Sequence, residues 1–157
     1  MPEAITRFDF SILYWIQDRL RCGFLDFLMP KITFLGNAGL IWLLTAAVLI
    51  LTRKYRRTGI FLLVGLAAGV LVGNVAMKHL FARPRPCWID ESVRLLVSVP
   101  KDFSFPSGHT LSSVISATVL TRAERRFGFV AVPLAALIAL SRLYLFVHFP
   151  TDVLTSV

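Results

Sequence analysis

The sequence predicts an all-α, polytopic membrane helix bundle, with an amphipathic N-terminal helix, about four spans and the start of a further one. Three observations predict it. Apolar residues make up 56% of the chain against 17% charged, and the mean hydropathy is +0.71. A soluble domain of 157 residues cannot hide that much apolar surface. Apolar runs of about 20 residues, enough to cross a hydrocarbon core of about 30 Å, recur along the chain. Many of the basic residues also gather in two short clusters, at 53–57 and 122–126. The length accommodates one domain, residues 1–157.

Residues 6–28 mix apolar and charged side chains at helical spacing, with Ile12, Leu13, Ile16, Leu20, Phe24 and Phe27 on one broad face. That pattern fits a helix lying in the membrane interface. Asp9, Gln17, Asp18 and Arg19 interrupt the apolar core that a cleavable signal would need. Pro30 is expected to break the chain before a first span at 33–52. The second span, 59–81, carries Gly65, Gly69 and Gly73 at i, i+4 and i+8, a row that lets a neighbouring helix approach closely. A loop, 83–105, holds Pro84, Pro86 and Pro100 with several charges. Spans at 107–121 and 127–149 follow.

The two basic clusters fall at one end of this alternation, and positive loops stay cytoplasmic. The loop 83–105 and the turn at His148 to Asp152 then face the other side, although the loop itself carries Arg83, Arg85, Arg94 and Lys101. The net charge of +8 would suggest nucleic acid in a soluble protein. Here its placement points to membrane lipids as the surroundings and to no nucleic-acid partner. Cys22 and Cys87 show no metal-ligand spacing, and their pairing stays open, as does the oligomeric state.

Six ionisable residues outside the cytoplasmic clusters map to the outer end: Lys78, Arg85, His109, Arg142, His148 and Asp152. Singly, each has a plain explanation, such as a snorkelling lysine or a structural ion pair. Together they form a receptor for a multiply charged anion, with Arg83 close to it. Arginine forks match phosphate oxygens and lysine adds a point charge. The stretch Phe105 to Thr110, FPSGHT, adds Ser107 and Gly108 at a helix start, where unpaired N–H groups and the positive dipole end suit an anion. A histidine attacking phosphorus splits hydrolysis into two easier steps. Asp152, four residues beyond His148, is placed to orient its ring, and the other histidine to protonate the leaving oxygen. The acidic residues at this end are only Asp90, Glu91, Asp102 and Asp152, so neither a metal nor another cofactor is expected.

Three spaced motifs now stand out: Lys78 to Pro86 as K-x6-R-P, Pro106 to His109 as P-S-G-H, and Ser141 to Asp152 as S-R-x5-H-x3-D. In order and spacing they resemble the signature of the type-2 phosphatidic acid phosphatase superfamily. The resemblance covers residues 78–152 and implies a role for each position. Lys78, Arg85 and Arg142, with Ser107 and Gly108, would bind phosphate. His148 would be the nucleophile, Asp152 its partner and His109 the general acid. It further implies metal-independent hydrolysis through a phosphohistidine, on the outer face of the cell membrane. The substrate would be a lipid phosphate or polyprenyl pyrophosphate: undecaprenyl pyrophosphate, phosphatidylglycerophosphate or phosphatidic acid. The first is favoured by a small margin. Vanadate-dependent haloperoxidases share the site pattern but are soluble and much larger. The family continues through another helix after the last motif, whereas this chain stops at Val157, so it is expected to be truncated. An inactive, anion-binding module of the same fold is the alternative.

Overall fold

The computed structural model describes residues 3–157, and among them every regular element is helical. Helix α1, Glu3–Arg19, lays Asp9, Leu13 and Ile16 inward at i, i+4 and i+7. It ends nine residues before the expected boundary at 28, because the chain turns at Leu20 to Cys22 and Cys22 is extended (φ −154°, ψ 158°). Of the expected apolar face, Leu13 and Ile16 are buried, while Leu20, Phe24 and Phe27 are exposed.

Helix α2, Gly23–Leu35, contains Pro30 rather than stopping at it. The break comes later, where a 3₁₀ turn, Asn37–Gly39, leads into α3, Leu40–Leu51. Ala38 (φ 50°) and Gly39 (φ 68°) take left-handed backbone there, and the two helices meet at 47°. The expected straight first span from 33 is therefore replaced by a bent helix pair reaching back to Gly23.

Helix α4, Arg56–Gly69, passes into a π-helical segment, Val70–Met77, and then a last α turn, α5, Lys78–Phe81. A π segment shifts the helical register, and such segments recur at functional sites. After a short helix α6, Pro86–Ile89, the loop leads to α7, Gly108–Ala123. Helix α8, Arg125–Tyr144, follows, and α9, Pro150–Leu154, closes the chain. The run from α4 through α5 and helix α8 are each long and apolar enough to cross a membrane, and α2 with α3, taken as one bent span, would make a third. Helix α7, at 16 residues, packs between α4 and α8. The glycine row of the second span receives it: a Cβ on Gly69 would stand 2.7 Å from Ile115, and one on Gly73 2.5 Å from Leu111.

Two apolar clusters hold the bundle. One joins α3, α4, α7 and α8 through Trp42, Leu62, Leu66, Leu120 and Ile138. The other lies beneath α1 and the segment after α8, with Leu13, Ile16, Leu145, Phe146 and Phe149. The outer face is apolar too: Phe61, Leu71 and Phe129 are exposed, as suits a surface solvated by lipid. Cys22 is exposed and Cys87 buried, and neither is in a disulfide.

Candidate active site

Helix α8 stops at Tyr144, five residues short of the expected end at Phe149. The chain then turns through Phe146 in left-handed backbone (φ 58°), and Leu145 to Phe149 are all buried. This turn, not a helix, presents His148. Its ring is 1% exposed.

Arg85 grips the turn from the loop. Its Nη1 donates to the Val147 carbonyl at 2.6 Å and lies 3.1 Å from His148 Nε2. A guanidinium can only donate, so Nε2 is the acceptor and the ring proton sits on Nδ1. Burial pushes the imidazole well below its ordinary pKa, and the charges of Arg85, Arg142 and Lys78 push the same way. The ring is therefore neutral near pH 7, with a lone pair on Nε2.

On the Nδ1 side stand Ser104 Oγ at 3.4 Å and Asp152 Oδ2 at 3.6 Å. The carboxylate is close to the ring but beyond hydrogen-bond reach. Asp152 is held elsewhere instead: Oδ2 accepts Ser104 Oγ–H at 2.5 Å and the Phe149 N–H at 2.9 Å, and Oδ1 accepts Arg83 at 2.5 Å. Arg83, expected near the anion, thus serves Asp152.

A cavity of about 910 Å³ opens on this side of the bundle. Lys78, Arg85, Gly108, His109, Arg142 and His148 line it, so six expected site residues meet there. Ser107 and Asp152 stand behind the wall. The Ser107 N–H, expected to face an anion, donates to Ser156 Oγ at 3.1 Å, and its hydroxyl caps α7 by accepting from Thr110 N–H. His109 Nε2 is 2.9 Å from Asn37 Oδ1, at the bend between α2 and α3. Gly36 makes room for that ring, since a Cβ there would stand 2.8 Å from His109 Cδ2. Farther in, Leu43, Leu63, Leu66 and Val70 make the cavity walls apolar between α3 and α4.

The three cations differ in their partners. Arg142 donates through Nη1 to Thr33 Oγ1 at 2.5 Å. Its buried Nε has no hydrogen-bond partner among the described residues. Lys78 and Arg85 both bind the Asp102 side chain, Arg85 through Nη2 at 2.8 Å, while Arg85 Nε takes the Asp102 carbonyl at 2.7 Å. Partial burial pushes the Asp102 carboxyl up, but the hydrogen bond from Lys78 and the charge of Arg85 outweigh it and hold the pKa at about 2. Asp102 and Ser104 escape a motif reading. The available signal was local: both lie in the polar approach to Pro106, opposite a surplus of cations. His79, outside this constellation, bonds the Val75 carbonyl at 2.7 Å on an exposed face.

Residues 58–157 match the PAP2 superfamily. The chain belongs to that superfamily. Among PAP2 relatives, an undecaprenyl-diphosphatase of Sulfolobus acidocaldarius is 31% identical over 115 residues, covering 73% of this chain and 55% of that protein. A decaprenylphosphoryl-5-phosphoribose phosphatase of Mycolicibacterium smegmatis is 36% identical over 121 residues, covering 73% of this chain and 61% of that one. The chain thus spans little more than half the length of these two relatives. The crystal structure of a transmembrane PAP2 type phosphatidylglycerolphosphate phosphatase from Bacillus subtilis superposes with a TM-score of 0.79 at 28% identity, over 99% of this chain and 80% of that one.

Proposed function

We infer that residues 1–157 act as one membrane-embedded lipid phosphatase domain, which removes phosphate from a polyprenyl-linked phosphate or diphosphate without a metal ion. The observation that carries this reading is His148 Nε2 beside Arg85, on a cavity also lined by Lys78, Arg142 and His109. Lys78, Arg85 and Arg142 bind the phosphoryl oxygens, helped by Gly108 at the start of α7. His148 Nε2 attacks the terminal phosphorus and the bond from that phosphorus to its bridging oxygen breaks, releasing the lipid alcohol or, from a diphosphate, the lipid monophosphate. His109, entering the step as the imidazolium with its second proton taken from water, protonates that oxygen. Positive charge develops on the imidazole, and Asp152 stabilises it from the Nδ1 side. Water then attacks the phosphohistidine, His109 takes its proton, the bond from phosphorus to His148 Nε2 breaks, and inorganic phosphate leaves.

The polyprenyl preference draws on the two curated relatives, both named for polyprenyl-linked substrates. The apolar walls at Leu43, Leu63, Leu66 and Val70 suit a branched hydrocarbon. Placement on the extracytoplasmic side of the cell membrane is supported by the basic clusters at the opposite end.

The test is phosphate release in detergent from undecaprenyl diphosphate, phosphatidylglycerophosphate and phosphatidic acid, with and without chelator. Turnover of the first should persist with chelator present, and His148→Ala should remove it by a factor of at least about 10³. Dependence on added metal would defeat the metal-free mechanism. Binding of phosphate with no release from any substrate would favour an anion-binding module of the same fold.

A further inference from the structure

Asp9 is a fully buried carboxylate on a helix that otherwise exposes Phe8, Tyr14 and Trp15, and the phosphatase reading gives it no part. It faces inward on the same stripe as Leu13 and Ile16. Its Oδ2 accepts Arg83 Nη2 at 2.7 Å and Thr151 Oγ1 at 2.6 Å, and its Oδ1 accepts the Thr151 N–H at 3.1 Å. Arg83 in turn reaches Asp152 Oδ1 through Nη1 at 2.5 Å and lies over the Phe149 ring at 3.9 Å. One buried guanidinium therefore bridges two buried carboxylates, one on α1 and one beside His148.

We propose that Asp9 is a positioning residue for the phosphatase reaction, acting through Arg83 to hold Asp152 in register with His148. The inference rests on the reading of Asp152 as the partner of His148. A carboxylate can rotate, and misplacement of about 1 Å at a reacting group can cost on the order of 10²-fold in rate. Arg83 fixes Oδ1, which keeps Oδ2 facing Ser104 and the imidazole. A second carboxylate also shares the arginine charge, so that Asp152 keeps negative charge for the imidazolium that forms during attack. Asp9 thus makes α1 part of the catalytic assembly.

A purely structural pin would look alike in a thermal melt, so the test separates the two. Asp9→Asn removes the charge at nearly constant shape. Leu13→Ala loosens the same buried stripe without touching Arg83. For each, kcat and KM on undecaprenyl diphosphate, the inhibition constant of inorganic phosphate, and Tm in detergent are measured. Asp9→Asn should lower kcat by about 10-fold or more, with KM and phosphate inhibition within about 2-fold of the parent. Leu13→Ala should lower Tm while keeping kcat within about 2-fold. Combined with Asp152→Asn, the Asp9 change should add little, because the two act as a unit. Parental kcat in Asp9→Asn, or equal kcat losses in both variants at equal loss of Tm, overturns the proposal. If Asp152→Asn loses turnover while Asp9→Asn does not, only this inference fails and the phosphatase reading stands. If Asp152→Asn itself turns over normally, the assigned partner of His148 is wrong and both fall.

Discussion

Asp102 occupies two of the cations, Lys78 and Arg85, that the proposed function assigns to a phosphoryl group. It neutralises Lys78 and Arg85 and leaves Arg142 as the cation with an open donor. With its carboxyl held at about 2, it stays ionised through the working pH range and competes with any arriving anion. The side chain is about half exposed, so the pairing is worth only ~1 kcal/mol, about a five-fold change in an equilibrium. Asp102→Asn should therefore tighten inhibition by inorganic phosphate by about five-fold, with a matching fall in KM for the lipid substrate. Unchanged phosphate inhibition would show that the carboxylate does not contest the site. At this scale the motif residues were legible because polar and ionisable groups in an apolar chain are conspicuous. Asp9 was not. Its partner, Arg83, lies 74 residues away, and no local pattern announces such a pairing.

Helix periodicity located the elements, since long apolar runs admit few alternatives, but besides the end of α1, which falls at Arg19, it misplaced two ends. Pro30 was expected to end a helix, yet the missing N–H is tolerated inside α2, and the bend falls at Ala38 and Gly39. The run through Leu145 to Phe149 stays apolar, so hydropathy extends α8 past the point where left-handed Phe146 ends it. That left-handed turn has no glycine to mark it, and tertiary packing holds it. Both irregular segments sit at the cavity, and the π segment before Lys78 makes a third. The bend also sets His109, whose ring lies against Gly36. Gly36→Ala would put a methyl 2.8 Å from His109 Cδ2 and 3.0 Å from Ile138 Cγ2. The ring must shift, and kcat should drop by about 10-fold or more while phosphate inhibition, assigned in the proposed function to the three cations, changes little. A parental kcat would mean that His109 has slack and that the bend does not govern it.

The whole molecule bears on the orientation expected from the charge pattern. The loop 83–105 carries four basic residues, enough to blur a rule that places positive loops in the cytoplasm. Arg83 and Arg85, however, are buried and engaged inside the fold, the first with Asp9 and Asp152 and the second with Asp102 and the Val147 carbonyl. They belong to the interior and do not act as free loop charges. Of the loop's charges Arg94 and Lys101 remain, joined on this side by Arg7, Arg19 and Arg21 of the α1 region, whose Arg21 bonds the Arg94 carbonyl, against Arg53, Lys54, Arg56, Arg57, Arg122, Arg125 and Arg126 in the two clusters on the other. Each site-bearing segment, from the end of α5 to the turn after α8, then lies at the end opposite the basic clusters. The expected arrangement puts the cavity outside and both clusters in the cytoplasm. In a background with Cys22 and Cys87 replaced by serine, Lys101→Cys should react with a membrane-impermeant maleimide on intact cells. Lys54→Cys should react only after lysis. Labelling of residue 54 from outside would reverse the orientation and turn the site toward cytoplasmic lipid phosphates.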